Sequence, residues 1–121
     1  MEKPNYQLHF DLLLGLMAQQ INSLAGIPVQ PNEAWKVDVN ALAAKLLRHT
    51  TAIRSLLAGT TFEYKNVGEV HYIDHASVTV LVRAAMETFL VFHFLACNPD
   101  EKVREFRALA WAMCGLMDRQ K

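Results

Sequence analysis

Arg83 and Glu87 stand four residues apart in "SVTVLVRAAMETFLVFHF", an otherwise apolar stretch from Ser77 to Phe94. A guanidinium and a carboxylate one helical turn apart can hold a polar ligand, or share proton transfer with a nearby histidine. At about 100° per residue, Thr79, Arg83 and Glu87 fall within roughly an 80° arc, and together they form a candidate ligand-binding stripe. Arginine before glutamate is the weaker order for such a pair, so helix stabilisation alone does not explain it. Because the surrounding helix is apolar, the stripe is expected to face other helices or a cleft. It then serves either as a buried clamp, where losing one partner costs about 3–5 kcal/mol, or as a functional pocket. His93, about 80° around the helix from Arg83, joins Arg83 and Glu87 as a candidate for acid–base work. No residue is assigned a catalytic role.

The other histidines divide by position. His49 stands in an apolar stripe where a leucine would fit, as a hydrogen-bonded core histidine or as a further ligand-binding residue. His71 and His75 have the spacing that sets two imidazoles on one helix face for a metal. Asp74 between them is the expected helix cap, which leaves His71 outside the helix, so both are weak metal candidates and no metal site is assigned. No ExxH pair of the di-iron bundle type occurs. Glycine-rich phosphate loops are absent, no serine or cysteine nucleophile has a credible neighbouring base in sequence, and no cofactor is expected.

The totals bound what these residues can belong to. At 121 residues the chain is expected to form one domain, residues 1–121, large enough for a core without disulfides or metals. Twelve basic and twelve acidic residues cancel, so charge does not indicate nucleic acid or an anionic membrane. Apolar residues reach 52%, a surplus that suggests a dimer interface or a surface covered by further chain. Cys97 and Cys114 fall in apolar helical patterns and read as buried, reduced thiols. The N-terminus lacks a basic region and a cleavage site, and Arg83, Glu87 and His93 argue against a membrane span at Val78–Cys97. The expectation is a soluble, cytoplasmic protein.

Helical periodicity supplies the elements. Phe10, Leu14, Met17, Ile21 and Leu24 form one buried stripe, ended by Gly26 and Pro28. Trp35, Val39, Leu42, Leu46, His49, Ile53 and Leu56 form a second, starting at Asn32 or Asp38 and stopped by Gly59. "TTFEYKNVGEVHYID" breaks the period with β-favouring residues and predicts a short hairpin or extended loop leaning on the helices. Asp74 caps a third helix of about 23 residues, apolar on nearly all sides and therefore expected at the centre of a bundle. Asn98 as N-cap, Pro99 and Glu101 in a capping box open a fourth helix. Its inward face is expected to carry Val103, Phe106, Ala110, Met113 and Met117, with Arg104, Glu105 and Arg107 toward the other side. The uncapped ending "GLMDRQK" reads equally as a frayed terminus or as the N-terminal portion of a longer protein. The expected fold is an all-α, up-and-down four-helix bundle with a β-like excursion between helices 2 and 3.

The second half resembles a family of bacterial helical proteins of unknown function. In that family an aspartate opens a long helix reading S-x-x-x-L-x-R-x-x-x-E. Asp74, Ser77, Leu81, Arg83 and Glu87 stand at those positions, and Trp111, Gly115, Leu116 and Arg119 match a following helix. The resemblance covers roughly residues 72–121 and implies that further helices follow. Such proteins are similar in layout to HEPN-type domains, many of which are ribonucleases with an arginine followed four to six residues later by a histidine. This chain lacks that pair: Arg83 and His93 are too far apart, and Arg48 and His49 are adjacent. Three functions are carried forward. The leading one is a non-catalytic binding or interaction module that forms a homo-oligomer or packs on further helices of the same chain. The alternatives are a HEPN-like nucleic-acid hydrolase using Arg83 and Glu87, and a metal-binding bundle.

Overall fold

The computed structural model describes residues 5–118. Four helices, α1 (Tyr6–Ser23), α2 (Trp35–Leu57), α3 (His75–Ala96) and α4 (Glu101–Asp118), form an all-α bundle. Between α2 and α3 lies a hairpin of β1 (Thr60–Tyr64) and β2 (Gly68–Tyr72).

Each helix starts where a side chain or a turn can satisfy its free amides. Asn5 Oδ1 accepts from the amide of Leu8 at 3.1 Å to open α1. Asp74 caps α3 twice over: Oδ1 accepts from the Ser77 amide at 3.0 Å, and the Ser77 hydroxyl donates to Oδ2 at 2.6 Å. These bonds hold the Asp74 carboxyl below its usual pKa, the Ser77 hydroxyl contributing most. Neither Asn32 nor Asp38 caps α2; a 3-10 turn over Pro31–Glu33 leads into Trp35 with no side-chain cap. At α4 the expected cap shifts by two residues. Asp100 Oδ1 accepts from the Lys102 amide at 2.9 Å, while Asn98 Oδ1 accepts from the Asp100 amide at 2.9 Å. Asn98 thus closes a turn that presents Asp100, and Glu101 pairs with Lys36 at 3.5 Å instead of reaching back to the cap.

The inner stripes of α1 and α2 match their periodicity. Phe10, Leu14, Met17 and Ile21 are half-buried on α1, with Leu24 exposed beyond the helix end. All seven stripe residues of α2 are buried or half-buried. The core gathers Leu42, Leu95 and Ala108, with Trp35, Val39, Val91 and Phe92 packed against them. Leu42 lies early in α2 and Leu95 late in α3, so the two helices run antiparallel. Thr88, buried in α3, returns its hydroxyl to the Ala84 carbonyl at 2.8 Å, satisfying its only polar atom.

Two expectations about the helices are overturned. The third helix is not central: Val80, Val82, Met86, Phe89, Leu90 and Phe94 are all exposed along one half of its circumference. On α4 the inward face is the opposite of the expected one. Ala108 is buried, whereas Phe106, Met113 and Met117 face out and Val103 and Ala110 sit at the margin. The reason is polar. Arg107 Nη1 donates to the Phe94 carbonyl at 2.9 Å, one of the unpaired carbonyls ending α3, and Arg104 Nη1 donates to the Asn98 carbonyl at 2.5 Å. The two guanidiniums also lie over Phe94 and Trp35, at 4.6 and 5.9 Å from the ring centres. These contacts turn the arginine side of α4 inward and its apolar stripe outward.

The hairpin does not lean on the helices as expected. Nine of its ten strand residues are exposed, Val70 being the exception. Phe62 stacks on Tyr72 at 6.0 Å and lies 6.4 Å from Tyr64, so one aromatic face of the hairpin packs on itself. Gly59, at φ 82°, turns the chain from α2 into β1. That positive φ favours glycine, and a Cβ there would also sit 2.6 Å from the tip of the His71 ring, which would have to move aside. The cysteines correct a further expectation: Cys97 and Cys114 are free and exposed. Arg119, matched in the family resemblance, lies outside the described residues.

Candidate functional site

Arg83 and Glu87 are brought together, but not inside the molecule. Arg83 Nε donates to Glu87 Oε1 at 3.0 Å, and their side chains are 83% and 65% exposed. The expected buried clamp is therefore absent: the pair sits on the outward side of α3, away from α2. Thr79 is exposed on the same stripe and spends its hydroxyl on the His75 carbonyl at 2.8 Å. His93 is also exposed, its ring 5.9 Å from that of Phe89. The candidates on α3 thus share a solvent-facing surface. An exposed face gives an ion pair little leverage on a reacting group.

His49 is not part of that face. It lies on the inward stripe of α2, where its Nε2 is buried with no hydrogen-bond partner among the described residues. The histidine pair also separates. His71 sits on β2 with Nδ1 3.0 Å from the Thr61 hydroxyl, its cross-strand neighbour, while His75 begins α3. Among the described residues, no three of His, Cys, Asp and Glu are grouped as a metal would require.

The structure shows other polar features that periodicity did not reveal. Arg54 of α2 grips Asp11 of α1 with two bonds, Nε to Oδ1 at 2.7 Å and Nη2 to Oδ2 at 3.1 Å. The bonds from Arg54 depress the Asp11 pKa. This fork ties the first half of α1 to the end of α2. The starts of α2 and α4 border an open cleft of about 440 Å³, lined by Glu33, Asp100, Glu101, Lys102 and Glu105 beside Trp35. Lys36 bonds Glu33 at 2.5 Å and lowers its pKa. Three of the carboxylates there have structural tasks: Asp100 caps α4, and Glu33 and Glu101 pair with Lys36.

What dominates the surface is apolar. On α4, Phe106, Leu109, Met113 and Leu116 recur at heptad spacing, with Phe106 71% and Met113 63% exposed. On α3, Val80 is 68% and Leu90 63% exposed, on either side of the ion pair. Among the described residues, α3 alone has the length and apolar composition of a membrane-crossing helix. A core helix or an interface helix passes the same test, and Arg83 and Glu87 stand at its middle. No family model, curated protein or solved structure matches the chain. The likeness drawn over residues 72–121 rests on the quoted residues alone.

Proposed function

We propose that this chain is a non-catalytic helical interaction module that assembles with a second helical surface, its own in the first instance, through the outward faces of α3 and α4. The observation that supports this reading is the pair of exposed apolar helix faces. Scattered exposed apolar residues are ordinary on soluble proteins, but contiguous stripes at helical spacing are characteristic of docking surfaces. The even charge balance is compatible with self-association, since no net repulsion opposes it. The ionised groups in the middle of α3 favour a soluble, cytoplasmic setting over a bilayer.

The test is the mass of the purified chain in solution over a wide concentration range, by sedimentation velocity. A reversible rise from monomer toward dimer or higher species from micromolar to hundreds of micromolar is the expected result. A monomer at every concentration contradicts the reading.

A further inference from the structure

We infer, resting on the interaction-module reading, that α3 pairs antiparallel with α3 of a second copy about a two-fold axis level with Ala85. The outward face of α3 carries Ala76, Val80, Arg83, Glu87, Leu90 and Phe94, spaced 4, 3, 4, 3 and 4 residues apart, and all six are exposed. That is a heptad seam, and its spacing reads the same in both directions. Reversing a second copy about Ala85 sets Val80 against Leu90 of the partner subunit and Ala76 against the partner's Phe94. Small then opposes large, as interdigitating seams require.

The charges decide the orientation. In the reversed copy, Arg83 meets Glu87 of the partner subunit, and the same pair forms again on the other side of the axis. A parallel copy in register stacks arginine on arginine and glutamate on glutamate, which costs affinity. Within one chain the ion pair engages only Arg83 Nε and Glu87 Oε1. With side chains 83% and 65% exposed, the terminal guanidinium nitrogens and the second carboxylate oxygen are left for a four-residue network across the axis. This accounts for the unfavourable order of the pair along the helix: its positions suit a partner helix rather than its own. A lone apolar stripe could take many occupants. A stripe whose two charges are each other's complement under a two-fold operation specifies another copy of itself.

The experiment exploits that symmetry. Arg83→Glu gives a seam with two acidic residues and Glu87→Arg a seam with two basic ones. Both positions are exposed, so each variant is expected to fold with unchanged helical circular dichroism. Each variant alone should lose self-association, its dissociation constant rising roughly a hundredfold or more. A one-to-one mixture should regain wild-type affinity as a mixed dimer, since every charge then meets its opposite. Sedimentation velocity reads all three samples beside the wild type. If the wild type assembles and both variants assemble equally well, the α3 seam is overturned while the interaction module stands. If the wild type remains monomeric throughout, both fall. Flotation of monomeric wild type with phosphatidylcholine vesicles would give this face to a bilayer and overturn the pairing.

Discussion

At the scale of single residues, exposure separates groups the sequence treated alike. Arg83 and Glu87 form a solvated pair, and solvated i,i+4 pairs contribute little to a monomer. Arg83→Met and Glu87→Gln are each expected to change the unfolding free energy of the dilute, monomeric chain by less than about 0.5 kcal/mol. Urea titration at low concentration checks this, and a loss of about 3 kcal/mol or more would restore the buried clamp. His49 makes the opposite case. Its Nε2 is buried with no partner among the described residues, and such an atom carries a desolvation cost of about 1–3 kcal/mol. His49→Leu, which suits the surrounding stripe, is expected to raise stability by up to that amount, and a clear loss in urea unfolding would show a polar role for the ring. At Gly59, alanine meets both a positive φ and the His71 ring at 2.6 Å. Gly59→Ala should cost about 1–3 kcal/mol in the same assay.

At the scale of elements, what could be read in advance followed hydrophobic period, and what could not followed polar contacts between elements. The stripe of α2 was legible because that helix has one apolar face, which leaves a single way to turn it. On α1 the row of Phe10, Leu14, Met17 and Ile21 turned inward, while Leu8, Leu12 and Leu16 on the other side stayed exposed. α3 and α4 defeated the same reasoning for different reasons. α3 is apolar all round, so period cannot say which half is buried. α4 has a clear stripe, but Arg107 reaches the Phe94 carbonyl ending α3 and Arg104 the Asn98 carbonyl of the following turn, and these turn that stripe outward. Long-range pairs such as Asp11 with Arg54, 43 residues apart, leave no trace in local spacing. This pair yields a pH prediction. The folded Asp11 pKa is depressed by Arg54, so its contribution is complete above the unfolded aspartate value of about 3.9 and is lost as pH falls through the lower folded value. The docking of α1 should therefore loosen below roughly pH 4. Hydrogen exchange of α1 amides against pH, compared with Asp11→Asn, checks it: the variant should show the loosened state already at neutral pH. Equal protection of α1 in both at neutral pH would contradict the tie.

At the scale of the whole molecule, the all-α bundle and its hairpin were legible from length, caps and period, while the placement of the apolar surplus was not. A composition of 52% apolar residues signals surface to be covered, but only the fold shows where it lies: on α3 and α4, and on α1 through Leu8, Leu12, Leu13 and Leu16. The core is correspondingly compact around Leu95, which is fully buried. Leu95→Ala is expected to cost about 2–5 kcal/mol of stability. The seam residues on α3, by contrast, should affect assembly rather than folding of the monomer.

The central claim is that α3 is the seam of a two-fold dimer, and distances between spin labels test it most directly. With Cys97 and Cys114 replaced by serine, a label is placed through Met86→Cys or Thr79→Cys, both exposed beside the seam. In an antiparallel pair level with Ala85, two labels at position 86 lie nearly level along the helices, which themselves lie about 8–10 Å apart. Two labels at position 79 are offset by roughly 18 Å along the axis. A short distance from the first and a clearly longer one from the second is the predicted result. Equal distances at both positions, or no intermolecular signal at concentrations where the chain assembles, would contradict the account.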